Sequence, residues 1–248
     1  MTRRTVLVTG GAKRLGAAIV RRLAGAGHRV VIHYGRSGAE AATLAEQVGA
    51  AGTVGGDLAE TDALHDLFAR AVDVAGGPID ALVNSASEFA FDRPAAVDRA
   101  LAARLYAVNC TAPVMLAGAL AGQEAEGVVV NLLDQKLANP NPDFFSYTLA
   151  KTALEGATVL MAQAFAPRVR VNAVSPGLTL ASGDQSVGEF DRTARQNLLK
   201  RPVGAESVAD AVAWLIAAES VTGQNLFVDC GQRFVKRDSD VMFEGRNG

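Results

Sequence analysis

The chain is organised around the segment Asp134–Lys151, DQKLANPNPDFFSYTLAK, and the turn Thr9–Gly16, TGGAKRLG. Within the first segment, Tyr147 and Lys151 lie four residues apart, a spacing that puts both side chains on one face of a helix. A phenol titrates at pKa ~10, and an ammonium beside it lowers that value towards the range where a general acid works at neutral pH. Such pairs also occur on solvated helix faces, so the acid–base interpretation depends on the other motifs of the chain.

Composition bounds the class of protein. The chain has 248 residues, 49% of them hydrophobic, and a formal net charge of -2. This size suits one α/β domain, and the near-neutral charge disfavours nucleic acid as a partner. The longest apolar runs are strand-length and no secretory leader follows Met1, so we expect no membrane partner and a cytoplasmic location. Cys110, Cys230 and the three histidines form no ligand pattern, so we predict no metal site and no histidine-based catalysis.

Short apolar strands alternate with helix-period segments along the whole chain, from a strand at 5–8 to a closing strand at 225–228. This alternation predicts an α/β single-domain Rossmann fold over residues 1–248, with a doubly wound parallel sheet of about seven strands and helices on both faces. Residues 178–200 begin with a polar, poorly periodic segment and are interpreted as a substrate lid. Residues 234–248 are charged and are interpreted as a C-terminal surface tail and a candidate arm onto a partner subunit.

The turn Thr9–Gly16 has the composition of a phosphate-binding turn. Gly10 and Gly16 let the backbone approach a pyrophosphate, and the following helix supplies free N–H groups; a plain strand-to-helix corner is the alternative. An NAD site expects a carboxylate after the second strand for the ribose 2′-hydroxyl. Arg36 and Ser37 stand there instead and suit a 2′-phosphate. The sequence therefore favours NADPH/NADP as cofactor, with an exposed loop arginine as the alternative.

Six ordered motifs over most of the chain resemble the short-chain dehydrogenase/reductase family. They are Thr9-Gly10-x-x-x-Arg14-x-Gly16, Asp57-Leu58, Asn84-Ser85-Ala86-Ser87, Asn109, Tyr147-x-x-x-Lys151 and Pro176-Gly177. Within that family, the pteridine reductases, including bacterial dihydromonapterin and dihydrofolate reductases, resemble this chain at a second set of positions. These are Lys13-Arg14-Leu15-Gly16, His33-Tyr34-x-Arg36-Ser37, Phe89 and Asp134. Two departures are Ser85, where the family's motif reads Asn, and Cys230, where its C-terminal Asp-Gly-Gly has glycine.

The resemblance implies a role for each matched position. It implies that Asp57 and Leu58 meet the adenine, that Asn84 lies along the cofactor, and that Lys151 bonds the nicotinamide ribose with Asn109 supporting it through a water. The full implied cofactor set is Gly10, Lys13, Arg14, Leu15, Gly16, His33, Tyr34, Arg36, Ser37, Asp57, Leu58, Asn84, Ser85, Ala86, Lys151, Pro176, Gly177, Leu178 and Thr179, the last four closing over the nicotinamide. The alternatives are a locally satisfied helix asparagine at 109 and a strand-end cap at 57. The helix after Tyr147 is apolar on several faces, which with the resemblance predicts a homotetramer or homodimer.

Asp134 directly follows the apolar run 128–133. Most members of the family have serine at the position of Asp134. A serine hydroxyl donates to the developing alkoxide of a ketone, whereas an ionised carboxylate ~4 Å away costs ~4 kcal/mol at an effective dielectric of ~20, roughly a thousandfold in rate. Reduction of a C=N bond instead needs a proton at nitrogen, which an Asp134–Tyr147 pair supplies. The predicted substrate set is Arg14, Ser87, Phe89, Asp134 and Tyr147, with Phe89 stacking a flat heterocycle. The alternatives are a strand-end cap at Asp134 and a core-packed loop aromatic at Phe89.

These motifs together predict an NADPH-dependent oxidoreductase that reduces a C=N bond of a pterin or folate, from the dihydro to the tetrahydro form. The predicted catalytic residues are Tyr147, Lys151, Asp134 and Asn109. One alternative is an NADPH-dependent carbonyl reductase of the same family, acting on a 3-oxoacyl thioester, a sugar or another ketone. Another is an inactive NADP(H)-binding regulatory protein, which the intact Tyr147/Lys151 pair disfavours.

Overall fold

The computed structural model describes residues 2–123, 125–181 and 186–240. The strands are β1 Thr5–Thr9, β2 Arg29–Tyr34, β3 Gly52–Gly55, β4 Ala81–Asn84, β5 Gly127–Leu132, β6 Val169–Pro176 and β7 Asn225–Val228. All seven pair in parallel in the order β3-β2-β1-β4-β5-β6-β7. The predicted seven-stranded, doubly wound parallel sheet is therefore confirmed.

Helices cover both faces of the sheet. They are α1 Arg14–Gly25, α2 Gly38–Val48, α3 Leu64–Ala75, α4 Arg99–Tyr106, α5 Ala112–Ala121, α6 Phe145–Ala164, α7 Val187–Ala194 and α8 Ala205–Ala217. Because successive strand residues point to opposite faces, Val6 and Val8 of β1 pack with α1, α2 and α8, while Leu7 packs with α3 and α5. The central strands β1, β4 and β5 are thus buried on both sides, as is usual in parallel sheets.

The strand order reverses between β1 and β4. From β1 the chain first winds outward through β2 and β3, then returns to place β4 on the other side of β1, with Thr9 opposite Asn84 at the carboxyl ends. In open α/β sheets, ligands bind in the crevice outside the carboxyl ends of the strands at such a switch point. The fold therefore positions the binding cleft above β1, β4 and β5.

The stretch Arg99–Ala121 is helical throughout, because a single π turn at Ala107–Thr111 joins α4 to α5. By length and composition alone it is long and apolar enough to cross a membrane. The prediction from the sequence, which considered only uninterrupted apolar runs, did not identify this stretch, because Arg104 and Asn109 interrupt its apolar residues. Leu116 and Leu120 are buried in the core beneath the sheet, and an internal helix of an α/β protein meets the same criterion.

The predicted lid is only partly described, because residues 182–185 lie outside the described ranges. After them, α7 begins with a capping box, in which Ser186 Oγ accepts from Glu189 N and the Glu189 carboxylate accepts from Ser186 N. Capping boxes satisfy two of the free N–H groups at a helix start. The role of 178–200 as a substrate lid stays a prediction.

The C-terminal tail is described as far as Asp240, and residues 241–248 lie outside the described ranges. Its described part packs on its own chain: Asn139 Nδ2 donates to Val235 O at 2.7 Å, and Arg237 Nη2 donates to Gln196 O at 2.9 Å. The described part is thus anchored to loops of its own chain while Phe234, Lys236 and Asp238 stay exposed, and the interpretation as a surface tail and arm onto a partner subunit stays a prediction. The domain boundaries 1–248 stay a prediction.

Candidate active site

A cleft of about 570 Å³ opens at the carboxyl ends of the strands. Its wall combines the glycine turn after β1, the ends of β2 and β4, the segment after β5, the first turns of α6 and the segment after β6. Tyr147, Lys151 and Asp134 all line it, as do Gly10 and Arg36. The structure therefore brings the predicted catalytic segment and the predicted phosphate turn into one cleft.

The glycine turn is shaped by close backbone contacts. Gly10 has φ +62°, and a Cβ there would lie 2.8 Å from Ala86 Cα, while a Cβ at Gly16 would collide with the Gly10 carbonyl oxygen. Gly10 N donates to His33 Nδ1 at 3.2 Å, and His33 Nε2 lies 3.1 Å from Gly56 O. Burial lowers the pKa of His33 to about 4, so the imidazole is neutral, accepts at Nδ1 and donates at Nε2. His33 thus supports the turn in addition to lining the cleft.

Arg14 connects the glycine turn to the segment after β6. It has φ +52°, a left-handed conformation that is uncommon for a non-glycine residue. Its exposed guanidinium Nη2 donates to Ala181 O at 2.7 Å. Arg14 therefore lies between the predicted cofactor turn and the predicted lid. The adjacent Lys13 forms an exposed ion pair with Glu40 at 2.5 Å.

At the far end of the cleft, Arg36 is exposed after β2, and Arg104 of α4 bridges two carboxylates. Arg104 Nη1 lies 3.1 Å from Asp57 Oδ2, and Arg104 Nη2 lies 2.6 Å from Glu88 Oε1. The N–H of Ala59, followed by Arg104, lowers the pKa of Asp57. Asp57, the predicted adenine contact, is thus held in position by a residue that the sequence motifs did not single out.

The catalytic candidates are linked by hydrogen bonds. The Tyr147 hydroxyl donates to Asp134 Oδ2 at 2.9 Å, and Lys151 Nζ donates to Leu132 O at 2.7 Å. Tyr147 and Lys151 are buried, whereas Asp134 is half-buried and lines the cleft. Asp134 Oδ1 accepts from Lys136 N at 2.8 Å. Asp134 is therefore both a strand-end cap and the hydrogen-bond partner of Tyr147, and its catalytic role stays a prediction.

The electrostatics of this group differ from the expectation based on Tyr147 and Lys151 alone. Burial, followed by the charge of Asp134, raises the pKa of Tyr147 well above its usual value, and burial raises the pKa of Asp134. Burial lowers the pKa of Lys151 to about 8. The expectation that the ammonium lowers the pKa of the phenol was wrong for this arrangement. The carboxylate accepts directly from the hydroxyl, whereas Lys151 Nζ lies 5.9 Å from the Tyr147 ring centroid.

Three aromatic rings form the wall beside Tyr147. Phe89 stacks on Phe144 with ring centroids 4.0 Å apart and an interplanar angle of 19°, and it meets Tyr147 edge-on at 4.8 Å. Phe89 is 44% exposed and lines the cleft. It is therefore packed against the core and also exposed to the cleft, and the stacking of a flat heterocycle on it stays a prediction.

The start of α6 is capped from a distant loop. Asp92, which is buried, accepts from Ser146 N at 3.0 Å and from Ser146 Oγ at 2.5 Å. The residue at the usual capping position, Phe144, has φ +54° and no capping side chain. Asp92 therefore satisfies N–H groups that the helix leaves free and fixes the turn that carries Tyr147. No sequence motif indicated this role.

Four predicted residues are not among those that line the cleft. They are Tyr34, Ser37, Asn84 and Asn109. Asn84 Nδ2 donates to Asn131 Oδ1 at 2.9 Å. Asn109 accepts from Ser87 Oγ at 2.7 Å and donates to Glu88 O at 2.9 Å. These two asparagines thus hold the loop after β4, and their predicted roles towards cofactor and lysine stay predictions.

The remaining predicted residues line the cleft. They are Gly10, Lys13, Arg14, Leu15, Gly16, His33, Arg36, Asp57, Leu58, Ser85, Ala86, Ser87, Phe89, Asp134, Tyr147, Lys151, Pro176, Gly177, Leu178 and Thr179. The sequence missed Gly35, Gly56, Glu88, Arg104, Val108, Leu132, Leu133, Gln135, Lys136, Leu180, Gln232 and Asp240. Most of these adjoin a motif, so proximity to the motif was an available signal. Asp240 is distant in sequence from any motif and is placed by the tertiary fold.

A protein-family model described as enoyl-(acyl carrier protein) reductase, one of the models of the short-chain reductases, matches residues 10–233. The chain belongs to the short-chain dehydrogenase/reductase family. This confirms the resemblance drawn from the six ordered motifs.

Members of the short-chain dehydrogenase/reductase family with known names are similar to this chain over nearly their whole length. Pteridine reductase 1 of Leishmania tarentolae is 36% identical, over 91% of this chain and 94% of that protein. A 3beta-hydroxysteroid dehydrogenase of Eggerthella lenta is 34% identical, over 92% and 93%. The crystal structure of FolM alternative dihydrofolate reductase 1 from Brucella canis, complexed with NADP, superposes with a TM-score of 0.90 at 40% identity and covers 96% of both chains.

Proposed function

We propose that this short-chain reductase uses NADPH to reduce the C=N bond of a dihydropterin or dihydrofolate. The observation that carries the proposal is the 2.9 Å hydrogen bond from Tyr147 to the carboxylate of Asp134 in the cleft. A carboxylate at this position opposes an alkoxide but assists a nitrogen that must gain a proton. The similarity to the Leishmania pteridine reductase and to the Brucella dihydrofolate reductase supports the same substrate class.

The cleft fits NADP(H) by the chemistry of its wall. The turn from Gly10 to Gly16 is packed too closely for side chains at these two positions and leads into the start of α1, whose free N–H groups suit a pyrophosphate. Arg36 supplies an exposed cation after β2, where a ribose 2′-phosphate would lie. When bound, the reduced nicotinamide supplies the hydride that reaches the carbon of the substrate. The NADP in the Brucella structure supports this assignment.

We propose that Tyr147 and Asp134 supply the proton. Burial raises the pKa of both groups, so the pair retains protons to higher pH than either group would in water, and it shares one through its hydrogen bond. As the substrate nitrogen becomes basic, the Tyr147–Asp134 pair donates to it. The ammonium of Lys151, anchored on Leu132 O, interacts electrostatically with Asp134 and so stabilises negative charge left on the pair. Phe89 presents an aromatic face on which a flat heterocycle can stack.

A substrate panel tests the function. We expect NADPH oxidation with dihydrobiopterin or dihydrofolate and much slower oxidation with an acetoacetyl thioester or a diketone. The reverse order supports a carbonyl reductase, which the similarity to the Eggerthella dehydrogenase favours as the second candidate. Tight NADPH binding without turnover of any compound supports an inactive regulatory binder.

Arg36→Ala should weaken NADPH binding by roughly 1.5–3 kcal/mol, the loss expected for a charged hydrogen bond, and should leave NADH binding nearly unchanged. Arg36 lies after β2, where no carboxylate is present to hold a free 2′-hydroxyl. Titration of nucleotide fluorescence measures both affinities. Arg21→Ala is the matched control, because Arg21 is exposed on α1 and pairs with Gln47 outside the cleft. Equal affinities of the unmodified protein for NADPH and NADH would contradict the assignment.

We also propose a homotetramer or homodimer in the cytoplasm. The α6 helix buries one face in the core and leaves Leu149 51% and Leu160 66% exposed. An exposed apolar face of this kind marks an interaction surface. We expect light scattering at micromolar concentration to give a mass of two or four chains, and Leu160→Glu to lower it. A monomer in the unmodified protein is the result that contradicts the proposal.

A further inference from the structure

A buried ion pair lies beside the Tyr147–Asp134 pair and belongs to none of the motifs. Lys136 Nζ lies 3.0 Å from Asp240 Oδ2, and the two side chains are only 5% and 13% exposed. Lys136 follows Asp134 by two residues, and its backbone N–H donates to that carboxylate. Both Lys136 and Asp240 line the cleft. The C-terminal segment therefore brings a carboxylate to the catalytic group from more than a hundred residues away in sequence.

The position of Asp240 is fixed by a chain of contacts. Its backbone N donates to Asp143 Oδ2 at 2.9 Å, and the fully buried Asp143 carboxylate also accepts from Arg93 Nε at 2.9 Å. Further back, Val235 and Arg237 hold the same segment to loops of the same chain. Lys136 Nζ also lies 5.4 Å from the Phe144 ring centroid, beneath Phe89. Lys136 and Asp240 thus form part of a built wall.

We propose that Lys136 and Asp240 determine which substituent on the substrate heterocycle the cleft accepts. This inference rests on the proposed function, in which the heterocycle lies against Phe89, Tyr147 and Asp134 and its substituent extends along the same wall. A hydroxylated, uncharged substituent can accept from the Lys136 ammonium and donate to the Asp240 carboxylate. A substituent that carries carboxylates meets an ammonium already neutralised by Asp240, with the Asp134 carboxylate adjacent. The wall therefore favours the hydroxylated substituent.

The two members of the pair have opposite effects on a charged substituent. Removing the charge of Asp240 leaves the Lys136 ammonium to bind a substrate carboxylate. Removing the charge of Lys136 leaves the carboxylates of Asp240 and Asp134 together on the wall, which repels a substrate carboxylate. A purely structural ion pair predicts equal losses for both substrates in either variant, because buried ion pairs destabilise the fold when one partner is removed.

The test compares kcat/KM for dihydrofolate, which carries carboxylates, with that for dihydrobiopterin, which carries hydroxyl groups. Asp240→Asn should raise the dihydrofolate-to-dihydrobiopterin ratio by roughly tenfold or more, the size of one charged hydrogen bond. Lys136→Met should lower the same ratio. The Kd for NADPH should stay unchanged in both variants. The control is Asp238→Asn, because Asp238 is an exposed neighbour in the same segment, and its ratio should equal that of the unmodified protein.

The outcomes separate this inference from the proposed function. Ratios that move in opposite directions in Asp240→Asn and Lys136→Met support the inference. If the unmodified protein reduces both substrates but both variants leave the ratio unchanged, the inference is overturned and the proposed function stands. If the unmodified protein neither reduces nor binds either compound in the presence of NADP, the proposed function and the inference are both overturned.

Discussion

Tyr147→Phe is expected to lower kcat/KM for a dihydropterin by roughly 10²–10⁴-fold, the range that general acid catalysis contributes. The substitution removes only the hydroxyl that donates to Asp134 Oδ2. The ring itself packs edge-on against Phe89, and phenylalanine preserves that contact. The loss should therefore fall on proton delivery, with the shape of the cleft retained.

Two measurements separate this effect from a loss of folding. NADPH affinity, followed by nucleotide fluorescence, should change little, and the thermal midpoint should stay close to that of the unmodified protein. Tyr106→Phe is the matched control, since Tyr106 is exposed on α4 and does not line the cleft. Full activity in Tyr147→Phe would exclude the phenol as the proton donor and move that role to Asp134 alone.

The local chemistry of the site could be predicted from the sequence where it depends on spacing within one element. Tyr147 and Lys151 share a helix face whatever else the chain does, and the glycines of Thr9–Gly16 fit only a tight strand-to-helix turn. The parallel sheet follows from the alternation of strands and helices, and its switch point places the carboxyl ends of β1 and β4 at the cleft. These inferences need no knowledge of long-range contacts.

Other features of the site depend on contacts between distant parts of the chain. Asp92 caps α6 from 54 residues away, Arg104 reaches Asp57 across 47 residues, and Asp240 reaches Lys136 across 104. Each is a charged residue, for which an exposed side chain is the usual expectation. The direction in which the pKa of Tyr147 shifts also depends on contacts that only the folded structure shows. The sequence placed Lys151 near the phenol and paired Asp134 with Tyr147, but it could not show that burial and the direct hydrogen bond to Asp134 would outweigh the effect of the ammonium.

Asp134→Ser should lower dihydropterin reduction and leave ketone reduction unchanged or higher. The serine hydroxyl cannot carry the shared proton, so reduction of C=N loses one member of the donating pair. Removal of the Asp134 carboxylate also takes away a charge that, after burial, raises the pKa of Tyr147. The same charge would repel an alkoxide by ~4 kcal/mol at ~4 Å in an effective dielectric of ~20, roughly a thousandfold in rate. The phenol then becomes a better acid for a ketone.

Because dihydropterin reduction should fall while ketone reduction does not, a loss of protein stability cannot explain the expected result. Serine is a good capping residue, so it can keep the contact that Asp134 Oδ1 makes with Lys136 N, and any general loosening of the cleft would lower both activities. Measuring kcat/KM for dihydrobiopterin and for a generic diketone on both proteins tests the prediction. Asp134→Asn keeps the shape of the side chain and removes its charge, so it shows whether the charge or the shared proton causes the change in activity. It should raise ketone reduction less than Asp134→Ser does, because asparagine offers no hydroxyl to the alkoxide. If Asp134→Ser retains full dihydropterin turnover, the aspartate acts only as a cap at the end of β5, and the assignment of C=N reduction loses the observation on which it rests.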